Sequence, residues 1–172
     1  MRGVHVTTQL QEAQAGVNAI IDRFSTPEAA QMTFTVGAEL TEGFKMDVDI
    51  RKHRITVVEP NGLGGTDEGP NPVELLLASL STCQAITYRV WAMKLGLALE
   101  SVNVEADGDI DLRGFFGVDD TVQAGFSAVR LRVKLDGPES AERYQELADA
   151  VDGHCPVLDF TGTAVPFERT LI

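Results

Sequence analysis

Cys83 and Cys155 are the only two cysteines in this chain of 172 residues, and each stands at a helix-start signal. Cys83 lies in the run that opens Asn71-Pro72-Val73-Glu74, and Cys155 sits in His154-Cys155-Pro156-Val157. A thiol does chemistry as its anion, which is both a nucleophile and a metal ligand; otherwise cysteine behaves as a small buried hydrophobe. The three histidines, His5, His53 and His154, are scattered, and no Cys-x-x-Cys spacing occurs. A metal site is therefore not expected. What remains is a choice between two working thiols and two core side chains.

Composition narrows the setting. The hydrophobic content is 44% with 23% charged residues, ordinary for one soluble domain with a real core. Fourteen basic against 26 acidic residues give a net charge of −12, and the acids are scattered. Such a surface repels phosphate backbones and anionic lipid, so neither nucleic acid nor membrane is an expected partner. The N-terminal segment has no signal-peptide pattern, and two cysteines are too few for a disulfide framework. The expected location is cytoplasmic and reducing.

The elements that must position the thiols follow from hydrophobic periodicity. Leu10, Ala13, Val17, Ile20, Ile21 and Phe24 recur at helical spacing, with Ser25-Thr26-Pro27 as the stop. Segments 32–41, 44–50 and 53–58 are rich in Val, Ile, Thr and Phe and separated by Glu42-Gly43 and Arg51-Lys52, which predicts an antiparallel meander. The glycine-rich stretch 60–70 reads as a loop. A phosphate-binding role is disfavoured because no Gly-Lys-Ser/Thr follows and Asp67 and Glu68 would repel an anion.

Asn71 reads as an N-cap, Pro72 as the first helical residue and Glu74 as the capping-box partner of a helix from Val73 to about Leu95, stopped by Gly96. Glu74, Gln84, Arg89 and Lys94 interrupt it too often for a membrane span, so a buried core helix is expected. Strands are expected over 99–112 and around Val129, Leu131, Val133 and Leu135, where basic residues alternate. Arg113 to Gly117 reads as a turn or hairpin connection, and 138–151 as a helix stopped by Gly153. Cys155-Pro156 is expected to begin another short turn. The tail from Thr163 to Ile172 reads as a final strand with Pro166 at its edge.

Taken in order, the glycine-rich loop, the run Gly69-Pro70-Asn71-Pro72-Val73-Glu74-Leu75-Leu76-Leu77-Ala78 with Cys83, the segment Asp111-Leu112-Arg113-Gly114-Phe115-Phe116-Gly117, and Cys155-Pro156-Val157 resemble the OsmC/Ohr superfamily of osmotically induced and organic hydroperoxide resistance proteins. The likeness runs from about Met32 to Ile172, leaving residues 1–31 as an N-terminal helical extension to a 32–172 domain. It implies an α+β, OsmC-like fold in which antiparallel strands wrap central helices and two protomers interlock as a homodimer. It also implies a cysteine-dependent peroxidase with Cys83 as the peroxidatic and Cys155 as the resolving thiol. Organic hydroperoxides would be the substrates and an external dithiol the reductant, with no cofactor or metal. In that chemistry a thiolate takes oxygen from the peroxide, becomes a sulfenic acid and is resolved as a disulfide.

The chain departs from the family's peroxidases at the activating residues. Their glutamate falls on Val73 here, while the acid present, Glu74, is about 180° around the helix from Cys83 at ~100° per residue. Their arginine comes from the first strands, where Glu42, Lys45, Arg51 and Arg54 stand without a clean match. Desolvation without a nearby cation would leave Cys83 mostly protonated at neutral pH. The chain thus resembles the less characterised OsmC-like branch. A non-catalytic dimer that binds a small ligand, or one with a purely structural role, is the alternative.

Overall fold

The computed structural model describes residues 2–171, with side chains from residue 12 onward; His5, Leu10 and Ile172 fall outside the described side chains. The chain forms two compact units, residues 1–69 and 70–172.

In the first unit, helix α1 (Arg2–Arg23) is followed by one turn, α2 (Pro27–Ala30). Thr26 does more than stop α1, because its hydroxyl accepts from the Ala29 amide at 3.4 Å and caps α2. In the described part of its apolar stripe, Ile20 is 48% and Ile21 44% exposed, while Val17 and Phe24 are half-buried. The expected meander is present as β1 (Gly37–Glu42), β2 (Lys45–Ile50) and β3 (His53–Val58), antiparallel in that order. Ile50 faces His53 across the two-residue turn Arg51-Lys52, and Arg51 takes the left-handed φ of 57° that such a turn demands. Residues 32–36 carry no strand, in contrast to the expected start of β1 at Met32, and β1 itself is exposed throughout. The glycine-rich loop holds a single 3-10 turn, Asn61–Leu63, and Glu68 there is taken by Lys45 at 2.7 Å.

The second unit is built on α3 (Pro72–Leu95). Its start follows from local chemistry: the Asn71 side chain accepts from the Glu74 amide, and the Glu74 carboxylate accepts from the Asn71 amide, both at 2.9 Å. Gly96 ends it in the left-handed conformation, φ 65°, that glycine adopts without a steric penalty. Strands β4 (Ser101–Ile110) and β5 (Phe126–Asp136) pair antiparallel, and the register sorts side chains by face. Val102, Val104 and Ala106 oppose Leu135, Val133 and Leu131 on one face. On the other, Arg130 pairs with Asp109 at 2.6 Å, and Arg132 bridges Glu105 and Asp107. These exposed ion pairs add little to stability, and their main effect is to favour one register.

Helix α4 (Leu112–Phe115) stands where a turn or hairpin was expected, because Asp111 caps it by accepting from the Arg113 amide at 3.0 Å. Helix α5 (Ala141–Asp152) is capped by Ser140 and inserts Leu147 and Val151, both fully buried. They close a core with Tyr88, Ala92, Leu97 and Leu99. At Gly137 a β-carbon would sit 2.2 Å from the Tyr144 hydroxyl, which donates to Ala98 O at 2.9 Å, so glycine there permits the packing of α5.

Two further expectations are corrected. Helix α3 is buried on one side only: Leu80, Gln84, Thr87, Tyr88 and Ala92 are covered, while Leu76 is 41% and Ile86 66% exposed. In its own unit it packs against β4, α5 and α6 (Pro156–Gly162), too few elements to surround an apolar helix. The tail is not a strand either. Residues 163–171 pair with no strand among the described residues, and Val165, Phe167 and Leu171 are exposed. Alternating apolar residues become a strand only beside a partner edge. Among the described residues no helix is long and apolar enough to cross a membrane.

Candidate functional site

Cys83 lies three turns into α3 and is half-buried; Cys155 is fully buried as the N-cap of α6. The segment expected to be a short turn is a seven-residue helix with Pro156 at its first position, where the missing N–H costs nothing. Packing of α6 on α3 brings the two thiols together across 72 positions: Cys155 Sγ lies 3.4 Å from Cys83 Sγ and donates its S–H to it. Both are free thiols. A disulfide needs about 2.05 Å between sulfurs, so a small rotation of the side chains closes the remaining gap.

The surroundings of Cys83 pull its acidity in opposite directions. Burial pushes the thiol up, the Val157 backbone amide pulls it down, the adjacent Cys155 thiol pushes it up further, and the Thr87 hydroxyl pulls it down. Burial dominates. Val157 is the second residue of α6, and its N–H is one of those a helix leaves without an internal acceptor. That Val157 N–H serves Cys83, on the neighbouring helix α3. Thr87 was not singled out in the sequence, although its position one turn after Cys83 places its hydroxyl on the Cys83 carbonyl at 2.8 Å.

The cations of α3 are engaged elsewhere. Arg89 donates to the carbonyls of Leu99 and Glu100, and the Lys94 ammonium lies 3.7 Å from the centre of the Trp91 ring. Glu74 is held at the start of α3 in its capping box, more than two turns before Cys83. Lys45 and Arg54, considered above as activating cations, form ion pairs with Glu68 and Asp49. His154, next to Cys155, has its ring 4.1 Å from that of Trp91 and donates from Nδ1 to Ala150 O at 2.7 Å. It is an exposed residue just after α5, held against Trp91. Among the described residues no cluster of His, Cys, Asp and Glu has a geometry that could hold a metal ion.

Chemically, the arrangement is a thiol held against a second thiol, with one backbone N–H donor and one hydroxyl beside the sulfur that would carry charge. Such a pair can lose two electrons and two protons to become a disulfide. The sequence model of the family described as OsmC-like protein matches residues 65–169, a span that contains both cysteines. No curated protein matches the chain. Among solved structures, an OsmC-like protein from Mycoplasma pneumoniae is similar with a TM-score of 0.66 at 20% identity, covering 77% of this chain and 89% of that one. An organic hydroperoxide resistance protein from Elizabethkingia anophelis is similar with a TM-score of 0.59 at 24% identity, covering 76% and 90%. Another, from Legionella pneumophila, has a TM-score of 0.59 at 21% identity and covers 74% and 88%. These likenesses show a shared α+β fold.

Proposed function

The chain belongs to the OsmC-like protein family, and we propose that it reduces organic hydroperoxides through Cys83 and Cys155. The observation that carries this reading is the 3.4 Å approach of two thiols from distant parts of the chain. The description of similar structures as organic hydroperoxide resistance proteins supports it. The Cys83 thiolate attacks the outer oxygen of the hydroperoxide, the O–O bond breaks, and the departing alkoxide takes up a proton to leave as the alcohol. Cys83 is then a sulfenic acid. The Cys155 sulfur attacks it, water leaves, and the disulfide forms; an external dithiol returns both thiols and becomes a disulfide itself. Cys83 is the attacking sulfur because it is the more exposed of the two and accepts hydrogen bonds at the position where charge develops.

A second reading has one observation in its favour. Burial holds the Cys83 thiol up, which slows thiolate chemistry, and a protein that binds a small ligand without turnover would need no activated sulfur. In either case the protein acts as a homodimer, since half-exposed Leu76, Ile86, Val129 and Phe160 leave apolar surface on the unit that carries the thiols. Stoichiometric cumene hydroperoxide separates the readings. The peroxidase loses two thiols per peroxide and gains cumyl alcohol in equal amount; the binding protein keeps both thiols. Sedimentation giving a folded monomer at micromolar concentration removes the dimer.

A further inference from the structure

Cys155 is the joint between α5 and α6, and little in the local backbone fixes it. Gly153, just before it, has a right-handed φ of −77° that any residue adopts, so glycine there adds freedom that no steric need demands. Cys155 is the N-cap of α6 but makes no side-chain capping bond. On one side of the joint the His154 amide donates to Val151 O at 3.0 Å, and on the other the Cys155 carbonyl accepts from the Asp159 amide at 2.9 Å. These bonds tie His154 to α5 and Cys155 to α6. The turn between the two helices needs a further hold.

His154 supplies that hold. Its Nδ1 lies 2.7 Å from Ala150 O, and a carbonyl only accepts, so Nδ1 carries the proton and donates. The same ring lies 4.1 Å from the Trp91 ring, centre to centre, tilted by 39°. Trp91 packs on the core formed by Tyr88, Ala92, Leu147 and Val151, so the ring that His154 meets is itself anchored. It stands two turns beyond Cys83 on the same helix, about 12 Å along the axis at ~1.5 Å per residue. Helix α3 therefore meets the joint at two points, Trp91 against His154 and Cys83 against Cys155.

We propose that His154 is a positioning residue for the resolving step: its ring, bonded to the Ala150 carbonyl and stacked on Trp91, holds the α5–α6 joint so that Cys155 Sγ stays against Cys83 Sγ. The inference rests on the two-thiol peroxidase reading for its place in a catalytic cycle, while the facing of the two sulfurs is a property of the reduced protein alone. Closure of a disulfide depends on how often the sulfurs meet, and a misplacement of about 1 Å in a reacting pair can cost about a hundredfold in rate. Without the His154 ring, Gly153 lets the joint swing, and the sulfurs face each other for a smaller fraction of the time.

The test measures closure without peroxide. The full-length protein is equilibrated in glutathione buffers, where Cys83 and Cys155 give two electrons and two protons to glutathione disulfide, which leaves as two thiols, and the fraction joined gives the effective concentration of one thiol at the other. His154→Ala should lower that concentration about tenfold, the scale of an aromatic pair together with a hydrogen bond. Trp91→Leu should lower it by a similar factor, and the double variant by no more than either alone, because both changes break one contact. His154→Phe keeps a ring on Trp91 and loses only the bond to Ala150, so it should lose less than His154→Ala. With cumene hydroperoxide, His154→Ala should let the Cys83 sulfenic acid accumulate, whereas a merely structural defect would lower sulfenic acid and disulfide together. An effective concentration unchanged in His154→Ala, additive losses in the double variant, a loss in His154→Phe as large as in His154→Ala, or sulfenic acid and disulfide falling together overturns the inference. A disulfide that forms and responds to His154 without hydroperoxide consumption would overturn the proposed activity alone. Consumption with closure indifferent to His154 would overturn this inference alone.

Discussion

The two compact units differ in how completely they cover their own apolar residues. In residues 70–172, Leu147, Val151 and Cys155 are fully buried and Tyr88, Ala92, Leu97 and Leu99 nearly so. In residues 1–69, Ile20, Ile21, Phe34, Val36, Leu40 and Phe44 are all exposed, and β1 has no buried residue. The lesson is that the unit holding the thiols has a closed core around α5, whereas the buried apolar residues of the first unit are Val48, Val57 and Val58, on β2 and β3. The site therefore sits on the part of the chain whose packing resists local opening.

Substitutions can sharpen or break that contrast. Leu147→Ala removes a fully buried side chain and should cost about 2–5 kcal/mol, the usual range for a leucine-sized cavity, read from urea unfolding. A loss under about 1 kcal/mol would mean that the core around α5 is not the closed one. Next in size is the pH response of Cys83. Its thiol is raised by burial, so the thiolate is scarce at neutral pH and grows as pH rises. In the Cys155→Ser protein the alkylation rate should climb about tenfold per pH unit through neutrality and level off only above the ordinary thiol pKa near 8.5. A plateau reached below pH 7 would mean that a cation activates the sulfur.

Asn71→Ala removes one half of the capping box and should cost about 1 kcal/mol in thermal or urea unfolding. The smallest effect belongs to the first unit. Ile20→Ser changes an exposed helical residue between two types of similar helix propensity and should stay within about 0.5 kcal/mol. A loss above about 1 kcal/mol would show that another surface covers α1 in solution.

What could be read from the sequence divides by the range of the interaction responsible. Asn71, Pro72, Glu74 and Gly96 mark α3 to within a residue because caps depend on neighbours three positions away. The alternation of Val129, Leu131 and Val133 with arginines marks β5 for the same reason. Helix α6 was read in part: Cys155-Pro156 stood out as a helix-start signal, but only a short turn was expected to follow it. Strand character at Met32 and in the tail failed because a strand depends on a neighbouring edge that local sequence does not specify. Both cysteines stand out as residues, but no spacing rule joins positions 72 apart, so their proximity came only from the family resemblance. Gln84 was noted as an interruption of an apolar helix; that it is buried, with no partner for its Nε2 among the described residues, is a property of tertiary packing.

The central claim, that Cys83 and Cys155 form one redox unit, is tested most directly by mass spectrometry of the protein after one equivalent of cumene hydroperoxide. The account predicts loss of two hydrogens per chain and a peptide pair joining Cys83 to Cys155, with the Cys155→Ser protein stopping at a trapped sulfenic acid on Cys83. Both thiols intact after the peroxide, or a disulfide found only between Cys155 residues of two chains, would contradict it.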